Sequence, residues 1–317
     1  MFRIYERAGV VTINRVVWSF LFLMSLPLEG FALEPGEKLL YEKNSLYQYI
    51  SVIDNTPKKE RYLRNQKRDV SQGGMSLAAP EKLLLEYTQM SFISLAYLDR
   101  EPRDVLFVGL GIGAMPRYFS RFYPEATIDI AEIDPDVVPV ATKYFYFKET
   151  ANMKVHITDG RMFVKRAPKK YDVIFLDAYQ NDDIPFHLTT VEFLREVRNK
   201  LKEDGVVAAN ILSPYRNKFF DSMVMTYKKV FPHLYIFSGQ RSRNFIFVAT
   251  PGTTKRSEEY ILERAGKIQA ARKFDIDLPK TASSYEYSTD YEWSSAKVLT
   301  DDFAPVNLYK YQKSGAK

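Results

Sequence analysis

The sequence predicts an α/β fold: a doubly wound, mostly parallel sheet with an antiparallel edge strand, preceded by a small N-terminal β-rich domain. Three observations predict it. Short apolar runs alternate with helical patterns between residues 81 and 252. A glycine turn, Gly109-x-Gly111-x-Gly113, follows the first of those runs directly. Residues 39–55 instead alternate apolar and polar side chains, the pattern of an antiparallel sheet with one wet face.

The chain opens with Arg3, Arg7 and Arg15 against a single acid, Glu6, followed by an uncharged run over residues 16–28 and small residues at Gly30 and Ala32. Basic start, short apolar middle and small-x-small end form a secretory pattern, so residues 1–32 are expected to be a signal peptide or membrane anchor. The apolar run falls short of the roughly 20 residues that span a bilayer comfortably. The expected location is therefore outside the cytoplasm, exported or held at the inner membrane, and cytoplasmic if the start is over-extended. The membrane is a partner only through this segment.

Residues 33–80 form the expected β domain, with strands in 39–55 and 61–64. Pro80 is expected to open a helix over 81–98. The next unit, 81–252, has strands expected at 105–108, 127–133, 155–158, 171–176 and 206–211, with helices at 115–122, 135–145, 190–201 and 216–231. Asp204-Gly205 is expected as a turn, and 234–237 with 245–250 as the closing antiparallel pair. Residues 253–317 supply a basic helix, 257–272, and a polar tail.

Composition narrows the function. Of 317 residues, 46% are hydrophobic and 26% charged, as in ordinary globular proteins, and 22 Tyr with 22 Phe predict a ring-rich core. The net charge of +6 is spread along the chain, which argues against a nucleic-acid partner. The absence of cysteine excludes disulfides, thiolate metal sites and cysteine nucleophiles. The three histidines, His156, His187 and His233, lie in no ligand spacing, so no metal is expected.

The chemistry collects where such sheets bind ligands, at the carboxyl ends of the strands. The first strand ends in the glycines, which let the backbone turn sharply and approach a ligand. The second ends in Glu132 and Asp134, the third in Asp159, the fourth in Asp177. Glu132 lies about 20 residues past the glycines, the spacing of an acid that accepts from ribose hydroxyls. Asp134, just before a helix, is explained as well by capping. His187 is a loop or helix-start histidine that could also serve as an acid or base. A Rossmann-like unit whose strands end in three acids suits a nucleoside with a cationic tail better than a dinucleotide.

These residues resemble the spermidine synthase family of polyamine aminopropyltransferases, within the S-adenosylmethionine-dependent methyltransferase folds. Tyr41-Glu42 with Ser45-Leu46-Tyr47-Gln48 is similar to the family's N-terminal segment, VLFVGLGIGAMPR to its nucleoside turn, AEIDPDVV to its acidic strand end, TDGR to its D-G pair, YDVIFLDAY to its D-V-I-x-x-D strand, and LTDDFAP to its C-terminal motif. The resemblance implies that Gln48, Gly109, Gly111, Gly113, Glu132 and Asp159 bind the adenosyl co-substrate, with Glu132 on the ribose and Asp159 on the adenine amine. It implies Asp177 as the general base, and Gln72, Gln180, Asp182 and Asp183 as substrate contacts. The implied co-substrate is S-adenosylmethionine or its decarboxylated form, the partner is a small-molecule amine such as putrescine, and the assembly is a homodimer or tetramer.

The resemblance breaks at two places. Ile112 stands where the family's turn carries an acid for the donor's terminal amine, and Gln180 stands where a second acid follows the fourth strand. Glu86-Tyr87 is a partial remnant of another acidic segment. The leading expectation is aminopropyl transfer to a polyamine. Methyl transfer from ordinary S-adenosylmethionine to an unknown acceptor, and a non-catalytic exported binding protein on the same scaffold, stand as alternatives.

Overall fold

The computed structural model describes residues 33–65, 71–179, 184–287 and 296–302; the expected leader, residues 1–32, lies outside them. The elements below belong to one compact unit, residues 36–317. No helix among the described residues is long and apolar enough to cross a membrane.

The N-terminal segment forms the expected antiparallel sheet, in the order β1 (Glu37–Asn44), β2 (Tyr49–Asn55), β3 (Glu60–Arg64) and β4 (Ser71–Ser76), the last a strand that the sequence pattern does not predict. Its buried face, with Ile50, Val52, Leu63 and Met75, shares a core with Leu110 and Ile112 of the glycine loop. Contact is close at one point: a Cβ on Gly73 would lie 2.5 Å from a methyl of Ile112. The missing side chain lets β4 settle onto the loop.

The helix expected over 81–98 is shorter and tighter. It begins as α1 (Glu86–Met90) and continues as a 3-10 segment, Ser91–Tyr97. Hydroxyls explain the change: Thr88, Ser91 and Ser94 donate to the carbonyls of Leu85, Tyr87 and Ser91, competing with helical amides.

The large sheet follows with β5 (Asp104–Val108), α2 (Ala114–Phe122), β6 (Thr127–Glu132), α3 (Val137–Phe145), β7 (Met153–Ile157), α4 (Gly160–Arg166) and β8 (Tyr171–Leu176). It continues with α5 (Val191–Lys200), β9 (Leu201–Leu212), α6 (Phe220–Val230), β10 (His233–Ser238), β11 (Asn244–Thr250), α7 (Glu258–Arg272), α8 (Leu278–Ala282) and β12 (Tyr285–Tyr287). The strand order is β12-β10-β11-β9-β8-β5-β6-β7. The five strands from β7 to β9 are parallel, and β11 runs antiparallel to both β9 and β10. The reversed strand of the expected closing pair thus lies inside the sheet, and the antiparallel edge is the short β12. The order reverses between β5 and β8, which puts the glycine loop at the switch point.

Helices cover both faces. Residues of α2, α3, α7 and the 3-10 segment pack on one side, and those of α4, α5 and α6 on the other. The ring-rich core is present: Phe107 and Phe175, on adjacent strands, stack with centroids 4.6 Å apart. Three other features depart from expectation. Asp204-Gly205 is an irregularity within β9 rather than a turn between elements, because the register shifts from Tyr171–Leu201 to Val173–Val206 without ending the strand. Helix α6 starts at Phe220, after turns at 213–219. Helices α4 and α8 and strand β12 carry no clear periodic signal, being seven, five and three residues long.

Gly113 shows what the loop demands. It starts α2 at φ +70°, and a Cβ there would lie 2.3 Å from the Phe147 ring. Gly113→Ala is therefore expected to lower unfolding stability by about 3 kcal/mol, combining left-handed strain with overpacking. Gly266→Ala in the middle of α7, where a Cβ meets nothing within 4 Å, is expected to raise it by about 0.5–1 kcal/mol. Urea denaturation of the two variants checks both signs.

Candidate active site

A cavity of about 490 Å³ lies across the carboxyl ends of the strands, within the usual range for a small-molecule site. It runs from the end of β7 past β6, β5 and β8 to β9 and β11, and is roofed by β4 and the turn before β2. Of the residues expected to bind a ligand, Gln48, Gln72, Gly109, Gly111, Glu132, Asp159 and Asp177 all line it. Gln180, Asp182 and Asp183 lie outside the described residues. Gly113 is not on the wall; its role is to let α2 start against Phe147.

Ile112 does not face the cavity either. It is 3% exposed and packs beneath Gly73. The isoleucine therefore joins the N-terminal sheet to the glycine loop.

Glu132 is buried at the end of β6. One carboxylate oxygen accepts from the Leu110 amide at 3.0 Å and the other from the Asp134 amide at 2.8 Å. Burial pushes its carboxyl up, and the amides pull against that. The acid thus shapes the glycine loop while its carboxylate still lines the cavity. Asp134 is wholly buried away from the cavity, where it accepts from the Ser45 hydroxyl at 2.6 Å and the Asp136 amide at 3.0 Å. The N-cap of α3 is Asp136. Asp134 instead ties the 45–48 turn to the large sheet and so sets Gln48 over the cavity. There the Gln72 amide donates to the Gln48 carbonyl oxygen at 2.9 Å.

Asp159 caps α4, accepting from the Met162 amide at 2.9 Å, while its other oxygen meets His187 Nε2 at 2.8 Å. His187 sits in a 3-10 turn, Phe186–Leu188, and lines the cavity beside it. Arg161, two residues beyond Asp159, donates to the His187 carbonyl and holds Asp301 of the tail through two bonds of 2.8 Å. The tail motif therefore braces this end of the site.

Asp177 stands near the middle. Protein surrounds its carboxyl except where it faces the cavity. Burial raises its pKa to about 6, with Asn210 and Tyr87 as the side chains that hold it down. Asn210 Nδ2 donates to it at 2.8 Å. Beyond it lie Arg216, Arg241 and Glu86. Burial pushes the Glu86 carboxyl up, but the Ser242 and Arg241 amides and the Arg241 guanidinium bring it below its ordinary value. Glu86 is thus committed to the 239–244 loop. No cluster of metal-ligating groups occurs among the described residues.

Asn210, Asn244 and the Tyr87 hydroxyl belong to the site without a motif that announces them. A signal for Asn210 was there: it is a polar residue at the carboxyl end of an otherwise apolar strand, VVAANIL.

Residues 84–238, which span the glycine loop and all four strand-end acids, match the spermine/spermidine synthase domain. The chain is 32% identical to the polyamine aminopropyltransferase of Vibrio vulnificus over 313 residues, covering 95% of this chain and all of that one. A spermidine synthase solved with the transition-state analogue AdoDATO superposes with a TM-score of 0.64 at 20% identity, over 79% of this chain and 86% of that one. Human methyltransferase-like protein 13, solved with SAH, gives 0.54 at 28% identity, over 67% of this chain and 99% of that one. The structural likenesses show the fold; the 32% identity over 95% of this chain and all of the Vibrio vulnificus enzyme shows that the chain belongs to the spermine/spermidine synthase family.

Proposed function

We propose that this protein transfers an aminopropyl group from decarboxylated S-adenosylmethionine to an amine such as putrescine. The observation that carries the reading is Asp177: a carboxylate with a pKa of about 6, set in mid-cavity between the nucleoside residues and the β9–β11 side. The family relatives named for this reaction support it.

The chemistry follows from that position. The glycine loop and Glu132 hold the nucleoside, with Asp159 and His187 at the adenine end and the Gln48–Gln72 pair above. The acceptor amine, approaching from the β9–β11 side, attacks the propyl carbon bonded to the sulfonium. A C–N bond forms as the C–S bond breaks. The electron pair goes to sulfur, leaving neutral 5′-methylthioadenosine. The nitrogen's proton passes to Asp177, which must be ionised to take it. The cavity's carboxylates also favour the cationic donor over its neutral product.

One observation favours the methyl-transfer alternative: Ile112 is packed into the core where the family's turn carries an acid. A donor competition decides between them. Aminopropyl transfer predicts that the decarboxylated form binds at least about tenfold tighter, roughly 1.4 kcal/mol, and yields a polyamine product. Preference for the carboxylated form with no polyamine product would sink the proposal.

Two site variants carry further expectations. Asp177→Asn should lower the transfer rate by about 10²–10⁴-fold while calorimetry finds 5′-methylthioadenosine bound nearly as before. In the unmodified enzyme kcat/KM should fall about tenfold per unit below pH 6, since protonation removes the base. Glu132→Gln puts an amide against the backbone donors of Leu110 and Asp134, so 5′-methylthioadenosine should bind about tenfold more weakly in the same calorimetric assay.

A further inference from the structure

We propose that Asn210, held in one orientation by Asn244, is a positioning residue for Asp177: by donating to one carboxylate oxygen it fixes the carboxylate's orientation toward the acceptor amine. The inference rests on the reading of Asp177 as the base.

The two asparagines sit on neighbouring antiparallel strands. Asn210 pairs with Ile246 in the β9–β11 register, so Asn244 is its diagonal neighbour. Both are nearly buried, 5% and 8% exposed. Asn244 Nδ2 donates to Asn210 Oδ1 at 2.7 Å, and Asn210 Nδ2 donates to Asp177 Oδ1 at 2.8 Å. A side-chain amide has one donor end and one acceptor end. Turned over, Asn210 would set its oxygen against the carboxylate and its NH₂ against that of Asn244, losing both bonds. Only one orientation is therefore satisfied.

The far end of the chain is anchored as well. The Asn244 backbone N–H donates to the Ser242 hydroxyl at 3.3 Å, and Glu86 accepts from the backbone N–H groups of Arg241 and Ser242. Tyr179 donates from its hydroxyl to the Asn210 carbonyl at 2.8 Å. Glu86 of α1, the 239–244 loop, Asn244 and Asn210 thus lead in sequence to Asp177. The Glu86-Tyr87 pair serves the base from two sides, Glu86 through the loop and Tyr87 by direct contact.

A donor bonded to the ionised form favours ionisation, so removing Asn210 raises the Asp177 pKa. Other titratable groups line the same cavity: Tyr87 from α1, in contact with the carboxyl, Tyr179 after β8, Glu132 from β6, and Arg216 and Arg241. Among these only Tyr87, besides Asn210 and burial, shifts its titration. A polar residue that merely satisfied the core would, when removed, lower stability and depress activity alike at every pH.

The test is the pH dependence of kcat/KM with decarboxylated S-adenosylmethionine and putrescine, together with the ¹³C titration of the Asp177 carboxyl in the ligand-free protein, assigned through Asp177→Asn. Asn210→Ala should move both midpoints up by about one pH unit, cutting kcat/KM about tenfold at pH 5 and leaving most of it at pH 9. Asn244→Ala, which leaves Asn210 free to turn, should shift the midpoints the same way but less. Added to Asn210→Ala it should shift them no further, because the two act through one contact. Unmoved midpoints with a uniform loss at all pH values would overturn the proposal, as would additive shifts. If Asn210→Ala fails to fold, the Asn244→Ala titration decides alone. A shifted carboxyl titration in a protein that turns over no amine would support the positioning role and defeat the aminopropyl reading instead.

Discussion

The site depends on how closely the glycine loop approaches the end of β8. Gly109, at φ +100°, lies so near that a Cβ would fall 2.3 Å from the Asp177 carbonyl oxygen. Its amide is bonded to Ala131 on one side, while the Asp177 amide is bonded to Val108 on the other. A glycine at this point does more than turn the chain: it brings the glycine loop and the Asp177 carboxylate into one cavity. An alkyl transfer needs that adjacency, because holding donor and base together removes an entropic barrier that solution reactants face.

The roof over this junction is held by contacts remote from the chemistry. Gly73 rests on Ile112, and Ser45 is bonded to the buried Asp134. Through these two contacts the N-terminal sheet places Gln72 and Gln48 opposite the strand ends. The position that carries an acid in the resembled glycine turn here carries a packing residue. What separates this chain from that pattern is thus a trade of a ligand contact for cohesion between two sheets.

The acids that line the cavity divide by their partners. Glu132 is bound by backbone amides, those of Leu110 and Asp134 among them, and shapes the loop beside it. Asp159 caps a helix and meets His187. Among the described residues Asn210 and Tyr87 are the side chains that hold the charge of Asp177, and burial outweighs them, so its pKa rises to about 6. That partial shortage of donors keeps it able to take a proton near neutral pH.

Read from the residues alone, most strands, most helices, the glycine turn and the strand-end acids were already legible, because period-2 and period-3.6 patterns and turn chemistry are local properties of the chain; β4, with the sequence SQGGMS, was not, since it lacks an apolar–polar alternation. Short elements such as α4 and β12 were not, since so few residues carry no period. Nor could local patterns say which of the expected residues share a surface. Gly113 left the cavity wall, Asp134 turned to Ser45, and Glu86 went to the 239–244 loop. Asn210 reached Asp177 across 33 positions, Asn244 reached Asn210 across 34, and His187 reached Asp159 across 28. Which strands lie side by side, and hence which side chains meet, is set by the packing of the whole sheet; the chain's local chemistry names the groups, and their neighbours in space determine what each of them does.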